Sequence, residues 1–156
     1  MMKKTTEIKV RLFSALLLGA GLQACGEPPT APEEAIRQWV ADGQHLAEEK
    51  DRNGLVDMIS PAYSDARGNE RDDIENMFRV YFLRAYSIEL LTKIDDIRVF
   101  GDTAAELDLT VGIAATHDGV MGFNADAYNF ELELILDGDE WLLISGRWGE
   151  VGGEIH

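Results

Sequence analysis

The sequence predicts an α+β domain in which three N-terminal helices pack on one face of a curved antiparallel sheet. Three observations carry that prediction. From Ile36 to Phe82, apolar residues recur at three- and four-residue steps, the period of a helix. From Ser87 onward they recur at every second residue, the period of a strand with one wet face. Gly101-Asp102, Asp118-Gly119 and Asp137-Gly138 punctuate that second region as turns.

The chain opens on a leader. Lys3, Lys4, Lys9 and Arg11 precede an uncharged run from Leu12 to Ala24. At ~1.5 Å per residue this run reaches roughly 20 Å, against a hydrocarbon core of about 30 Å. It is short for a membrane span and fits a secretory signal over residues 1–24. A plain signal with an incidental cysteine, or a buried apolar helix, is the alternative. Leu22, Gln23, Ala24 and Cys25 resemble the lipobox of bacterial lipoproteins. That resemblance implies a diacylglyceryl group on the Cys25 sulfur and cleavage before it. Gln23 departs from the small or apolar residue usual at its position. Cys25 is the sole cysteine, so no intramolecular disulfide can form, and a lipidated thiol is neither nucleophile nor metal ligand.

Charge agrees with a covalent anchor. Residues 1–24 hold four of the 14 Lys+Arg and one of the 29 Asp+Glu, leaving 10 against 28, a net charge of −18. An anionic bilayer repels such a surface, whereas acyl chains contribute ~0.8 kcal/mol per buried methylene. Nucleic acid is repelled for the same reason and is not an expected partner. Residues 25–32 hold three of the four prolines and form an extended spacer of about 20 Å. Gly26 is not the aspartate that resembles an inner-membrane retention signal. The resemblance therefore implies the outer membrane, facing the periplasm.

Residues 33–156 make one domain. Thr30-x-x-Glu33 forms a candidate capping box with Pro32 in the first turn. Ile36, Trp39, Val40, Gly43, Leu46 and Ala47 then line one face of a helix ending near Lys50. A short second helix, Leu55 to Ile59, is expected after Asn53-Gly54 and before Ser60-Pro61. Asn69 is the expected cap of a third, with Asp72 and Asp73 in its first turn and Ile74, Met77, Phe78, Tyr81 and Phe82 as its stripe. In the strands, Ala105 to Ile113 alternate with Glu106, Asp108, Thr110 and Gly112, and Phe130 to Leu136 alternate with Glu131 and Glu133. Trp141 to Trp148 is the last strand, apolar on both faces at its start.

Helix, short helix, the loop Tyr63-Ser64-Asp65-x-x-Gly68, a third helix and long strands ending in a segment framed by two tryptophans resemble the nuclear-transport-factor-2-like fold. The resemblance spans residues 33–151. It implies a sheet curled into a cone whose polar interior groups serve small-molecule members, among them ketosteroid isomerases, dehydratases and polyketide cyclases. It does not imply an activity.

Pocket candidates are residues whose parity matches the apolar face, together with loop and helix-three positions. His117, beside Asp118-Gly119, is a candidate base or simply the strand end. Asp65 is a candidate carboxylate of raised pKa, or a turn residue bonding its own backbone. Asp126 and Tyr128 are a candidate acid and tyrosine pair, which a bulge around Gly122-Phe123 would turn outward. Arg147 shares parity with Trp141 and Leu143, and either binds a ligand carboxylate or pairs with an acid. Tyr81 and Trp141 complete the set, while Trp39, Phe78, Phe82 and, in its alternative reading, Trp141 are core. No catalytic residue is assigned, and no cofactor or metal is expected, since metal-spaced histidines, a phosphate loop and a nucleophile elbow are all lacking.

The sequence thus predicts a lipid-anchored envelope module that binds a protein or a small apolar ligand. The alternative is an isomerase, cyclase or dehydratase using acid-base residues in the cone. Fold relatives often dimerise through the open sheet face. Here Glu106, Asp108, Glu131 and Glu133 oppose a dry homodimer, with Lys93, Arg98 and Arg147 the bases available among the strands.

Overall fold

The computed structural model describes residues 31–117 and 123–156, with the side chains of His117, Phe123 and Asn124 outside the description. The leader, Cys25, the spacer up to Thr30 and the Asp118-Gly119 turn also lie outside it. Three helices, α1 (Pro32–Glu48), α2 (Arg52–Asp57) and α3 (Arg71–Arg84), precede four strands. β1 (Ala85–Phe100), β2 (Ala104–His117), β3 (Phe123–Asp137) and β4 (Glu140–Glu150) pair as an antiparallel meander in sequence order. The α+β class and the element order are those predicted.

Helix starts differ in detail. The cap of α1 is Ala31 rather than Thr30, with Pro32 in its first turn. Helix α2 begins at Arg52, three residues early, because Asp51 Oδ1 accepts the Gly54 N–H at 3.0 Å. Asn53-Gly54 is therefore part of the helix rather than the segment before it. Gly54 lets α2 lie close to α1: a Cβ there would come within 2.6 Å of Leu46 Cδ2. Helix α3 is capped by Glu70, whose N–H donates to Asp73 Oδ2 at 2.9 Å, and not by Asn69. Asn69 is committed elsewhere, to Asp65.

The core has two clusters. Ile36 and Val40 of α1 pack on Leu107, Leu109, Leu134 and Trp141, while Ile59, Tyr63 and Ile74 form the second with Phe78 and Trp148. Ile36 and Leu107 are wholly buried, each contributing about 1.5–3 kcal/mol. Both clusters lie between Ile36 and Trp148, so the described residues carry their own core. The edge of β4 is covered at both ends. Ser60 N–H donates to Leu143 O at 2.9 Å and Leu143 N–H to Met58 O at 2.9 Å, while Trp148 and His156 exchange backbone bonds of 3.2 and 3.3 Å.

One irregularity changes the face of several residues. Glu133 pairs with Ser145 but Leu134 pairs with Leu143, which leaves Ile144 as an extra residue in β4. A bulge of one residue reverses the parity of everything beyond it. Arg147 therefore does not share a face with Trp141. It lies opposite Glu131 on the outer, convex face and pairs with it. On that face Arg98 also gathers acids, at 2.5 Å from Asp96 and 2.9 Å from both Glu106 and Asp108.

Candidate functional site

The concave sheet face and the helices enclose an apolar cavity of about 450 Å³. Helix α1 supplies Trp39, Val40 and Gln44, α3 supplies Phe78, Tyr81 and Phe82, and the sheet supplies Leu109, Val111 and Phe130. Inward parity on β1, β2 and β3 generates this wall, because Thr92, Val111 and Tyr128 share one row and Leu90, Ile113 and Asp126 the next. Among the described residues that line the cavity there is no Asp, Glu, His, Lys or Arg. Trp39, Phe78 and Phe82 were expected to fill a core; Trp39 and Phe78 do pack on the core clusters, and all three also border this space. The breadth of the aromatic stripe on α3 was the available signal.

The side-chain polar groups of Gln44 and Thr92 on the wall are occupied. Thr92 Oγ1 donates to Gln44 Oε1 at 2.6 Å, and Gln44 Nε2 donates to Leu90 O and to Glu48 Oε1, each at 3.2 Å. Glu48 Oε1 also accepts the Leu90 N–H at 2.9 Å, which ties the exposed edge of β1 to α1. Gln44 and Thr92 escaped the sequence reading, although a glutamine four residues after Val40 on an apolar stripe marked the place. Trp39 Nε1 is buried without a partner among the described residues.

At the open end Tyr81 of α3 lies within electrostatic reach of Asp126 and Tyr128 on β3, and of the three Tyr81 lines the cavity. The β2–β3 register runs without a shift from Thr116↔Phe123 to Ala104↔Ile135, so Asp126 and Tyr128 keep the parity of Phe130. Burial, then Asp126 and Tyr128, raises the Tyr81 phenol above its ordinary pKa. Burial, then the charges of Asp126 and Glu150, does the same to Tyr128. Both phenols therefore stay protonated at neutral pH. Tyr128 packs on Phe130 with ring centres 6.4 Å apart. Asp126 is exposed at this rim.

The other candidates are elsewhere. Asp65 is buried in the loop before α3 and does not line the cavity. Its Oδ1 accepts the N–H groups of Arg67 and Asn69, both at 2.9 Å, and its Oδ2 accepts Asn69 Nδ2 at 2.8 Å and the Tyr63 hydroxyl at 3.3 Å. Burial alone would raise its pKa, but the bonds from Asn69, Arg67 and Tyr63 outweigh burial and hold it below the ordinary carboxylate range. This is the turn residue of the two readings and not an acid kept neutral. The same carboxylate, after burial, pushes the Tyr63 phenol up. Trp141 is buried against Ile36 and Val40 and belongs to the core, outside the cavity wall. Arg147 faces away from the cone. The backbone of His117 closes β2 opposite Ala85, and its side chain lies outside the described residues. Among the described residues no group of three His, Cys, Asp or Glu is placed to hold a metal ion, and no helix is long and apolar enough to cross a membrane.

No protein-family model and no curated protein matches the sequence. Solved structures do share the fold. A putative scytalone dehydratase from Novosphingobium aromaticivorans superposes with a TM-score of 0.70 at 10% identity, covering 76% of this chain and 83% of that one. A putative dehydratase of the nuclear-transport-factor-2-like family from Streptomyces avermitilis gives 0.67 at 14% identity, covering 81% and 100%. A ketosteroid isomerase-like protein from Erwinia carotovora atroseptica gives 0.62 at 9% identity, covering 76% and 95%. At such identities the likeness is one of fold: helices on a curved four-stranded sheet, the nuclear-transport-factor-2-like cone.

Proposed function

We propose that this chain is a lipid-anchored envelope protein whose cone binds a small apolar ligand without transforming it. The cavity carries the reading. Its volume falls within the roughly 300–1,000 Å³ of small-molecule sites, and among the described residues its wall offers no Asp, Glu, His, Lys or Arg to reach a bound molecule. A neutral apolar dye, N-phenyl-1-naphthylamine, tests it. Residues 31–156 should bind the dye with enhanced emission, and Val111→Phe, which projects a ring into the cavity, should abolish binding. A wild-type domain that leaves the dye dark, or a variant that binds equally, overturns the reading.

The anchor rests on Leu22 to Cys25 and on the acidity that disfavours any electrostatic attachment. Helix α1 starts seven residues after Cys25, beside Asp102, Asp139 and Trp141. That is the sheet end opposite to Asp126 and Tyr128, so such a tether points the open end away from the bilayer. The intact mass of the full chain expressed with its leader should correspond to a polypeptide starting at acylated Cys25. Cys25→Ser should be neither acylated nor cleaved there. A soluble mature protein with a free thiol refutes the anchor and the outer-membrane location together.

An isomerase, cyclase or dehydratase is the second reading, favoured by the fold-level likeness to putative dehydratases and by the grouping of Tyr81, Asp126 and Tyr128. It requires these side chains to come within ~3 Å of a substrate atom. Measured turnover of a cyclic ketone or alcohol, lost in Asp126→Asn, would replace the first reading with this one. A homodimer, or a protein partner, would use the half of the outer face where Leu91 stands 77% exposed beside Gly112 and Ala127. Arg98 and Arg147 are already engaged within the other half.

A further inference from the structure

The open end of the cone carries a chemistry that its interior lacks. Asp126 stands on the inward row of β3, one row beyond Tyr128, and pairs with Ile113, which lines the cavity together with Tyr81 of α3. None of the ion pairs among the described residues includes Asp126. Nearby bases are directed elsewhere. Lys50 Nζ donates to the carbonyls of Ala85 and Tyr86, and Arg98 and Arg147 lie on the convex face. Arg84, one turn beyond Tyr81, does not line the cavity. Glu150, opposite Tyr128 in the register, adds a second negative charge at the same end.

We propose that the ligand is an amphiphile with a cationic head: its hydrocarbon body lies against Phe78, Phe82 and Val111, and its ammonium group meets Asp126 between Tyr81 and Tyr128. The proposal rests on the reading of the cone as an apolar binding cavity and names the class of molecule it takes. A carboxylate with no basic partner among the described residues attracts an ammonium, and phenol faces add the attraction of their ring quadrupoles. Their protonated state keeps those rings neutral, so they do not compete as anions. An anionic head of the same length would meet Asp126 and Glu150 with like charge. A neutral head would satisfy no charge.

Three probes of equal chain length separate the possibilities: decyltrimethylammonium, decanol and decanoate, each below its micelle-forming concentration. Binding to residues 31–156 is followed by tryptophan emission and by calorimetry. The expected order is cation, then alcohol, then carboxylate. Asp126→Asn should narrow the preference for the cation over the alcohol about tenfold, and Val111→Phe should abolish binding of both. Equal affinity for the three probes, or preference for decanoate, overturns the cationic head while leaving the apolar cavity in place. Cation binding that survives Val111→Phe also overturns it, since the net acidity of the surface would then account for the attraction. If none of the probes binds, the cavity reading itself falls.

Discussion

Replacing Asp65 by alanine should destabilise the domain by about 3 kcal/mol without altering what the cone binds. Asp65 is 8% exposed and accepts four hydrogen bonds, from Tyr63, Arg67 and twice from Asn69. Bonds to a charged acceptor are worth about 1.5–3 kcal/mol each when singly removed. Water can reach the more exposed Arg67 backbone, so the loss concentrates on the Tyr63 hydroxyl and Asn69. For the 121 described residues, an unfolding entropy of about 2.1 cal/mol/K per residue converts that loss to a fall of roughly 12 °C in Tm. Asp65→Asn keeps the shape but sets an amide donor against Asn69 Nδ2, and should cost less. The pH dependence has a definite sign. A carboxylate held below its unfolded pKa stabilises above that value, and the stabilisation is lost as pH falls through the native one. Urea melts of wild type and Asp65→Ala should therefore differ most at neutral pH and converge below the ordinary carboxylate pKa of roughly 3.9. A neutral-pH difference under about 0.5 kcal/mol would refute the reasoning, and so would dye binding that is lost while the variant remains folded.

Other variants probe other parts of the same account. Asp51→Ala removes the cap that starts α2 and should cost about 1 kcal/mol in a denaturant melt. Arg98→Gln leaves Asp96, Glu106 and Asp108 facing one another, so it should destabilise, and the loss in Tm should shrink when salt is raised to about 1 M. Gly149→Ala would put a Cβ 2.2 Å from Glu154 O. It should free the C-terminal residues from β4, seen as faster amide exchange at Trp148 and His156 with little change in global stability.

Local regularities made most of this fold legible. The stripe on α3 and the alternations on β2 and β3 are properties of consecutive residues, so the sequence displays them directly. The helix starts were displaced because their caps compete. Asn69 is a good cap in isolation, but the buried Asp65 takes both its amides, and Glu70 takes over. Arg147 was misplaced for a similar reason. Parity counting assumes an unbroken strand, and one extra residue at Ile144 turns the later side chains over. Nothing in the run Trp141 to Trp148 marks that residue as the bulge.

By itself the sequence determined the helix and strand periods, the acidity of the domain and the candidate lipobox, all of which depend on residue order and count. Tertiary structure alone decided that Trp39, Phe78 and Phe82 border a cavity rather than close it, and that Tyr81 shares the open end with Asp126 and Tyr128 while Asp65 and Arg147 lie elsewhere. The reason is geometric. A void depends on the distance between a sheet and the helices across it, and a cluster depends on register between strands, and neither is a property of neighbouring residues in the chain.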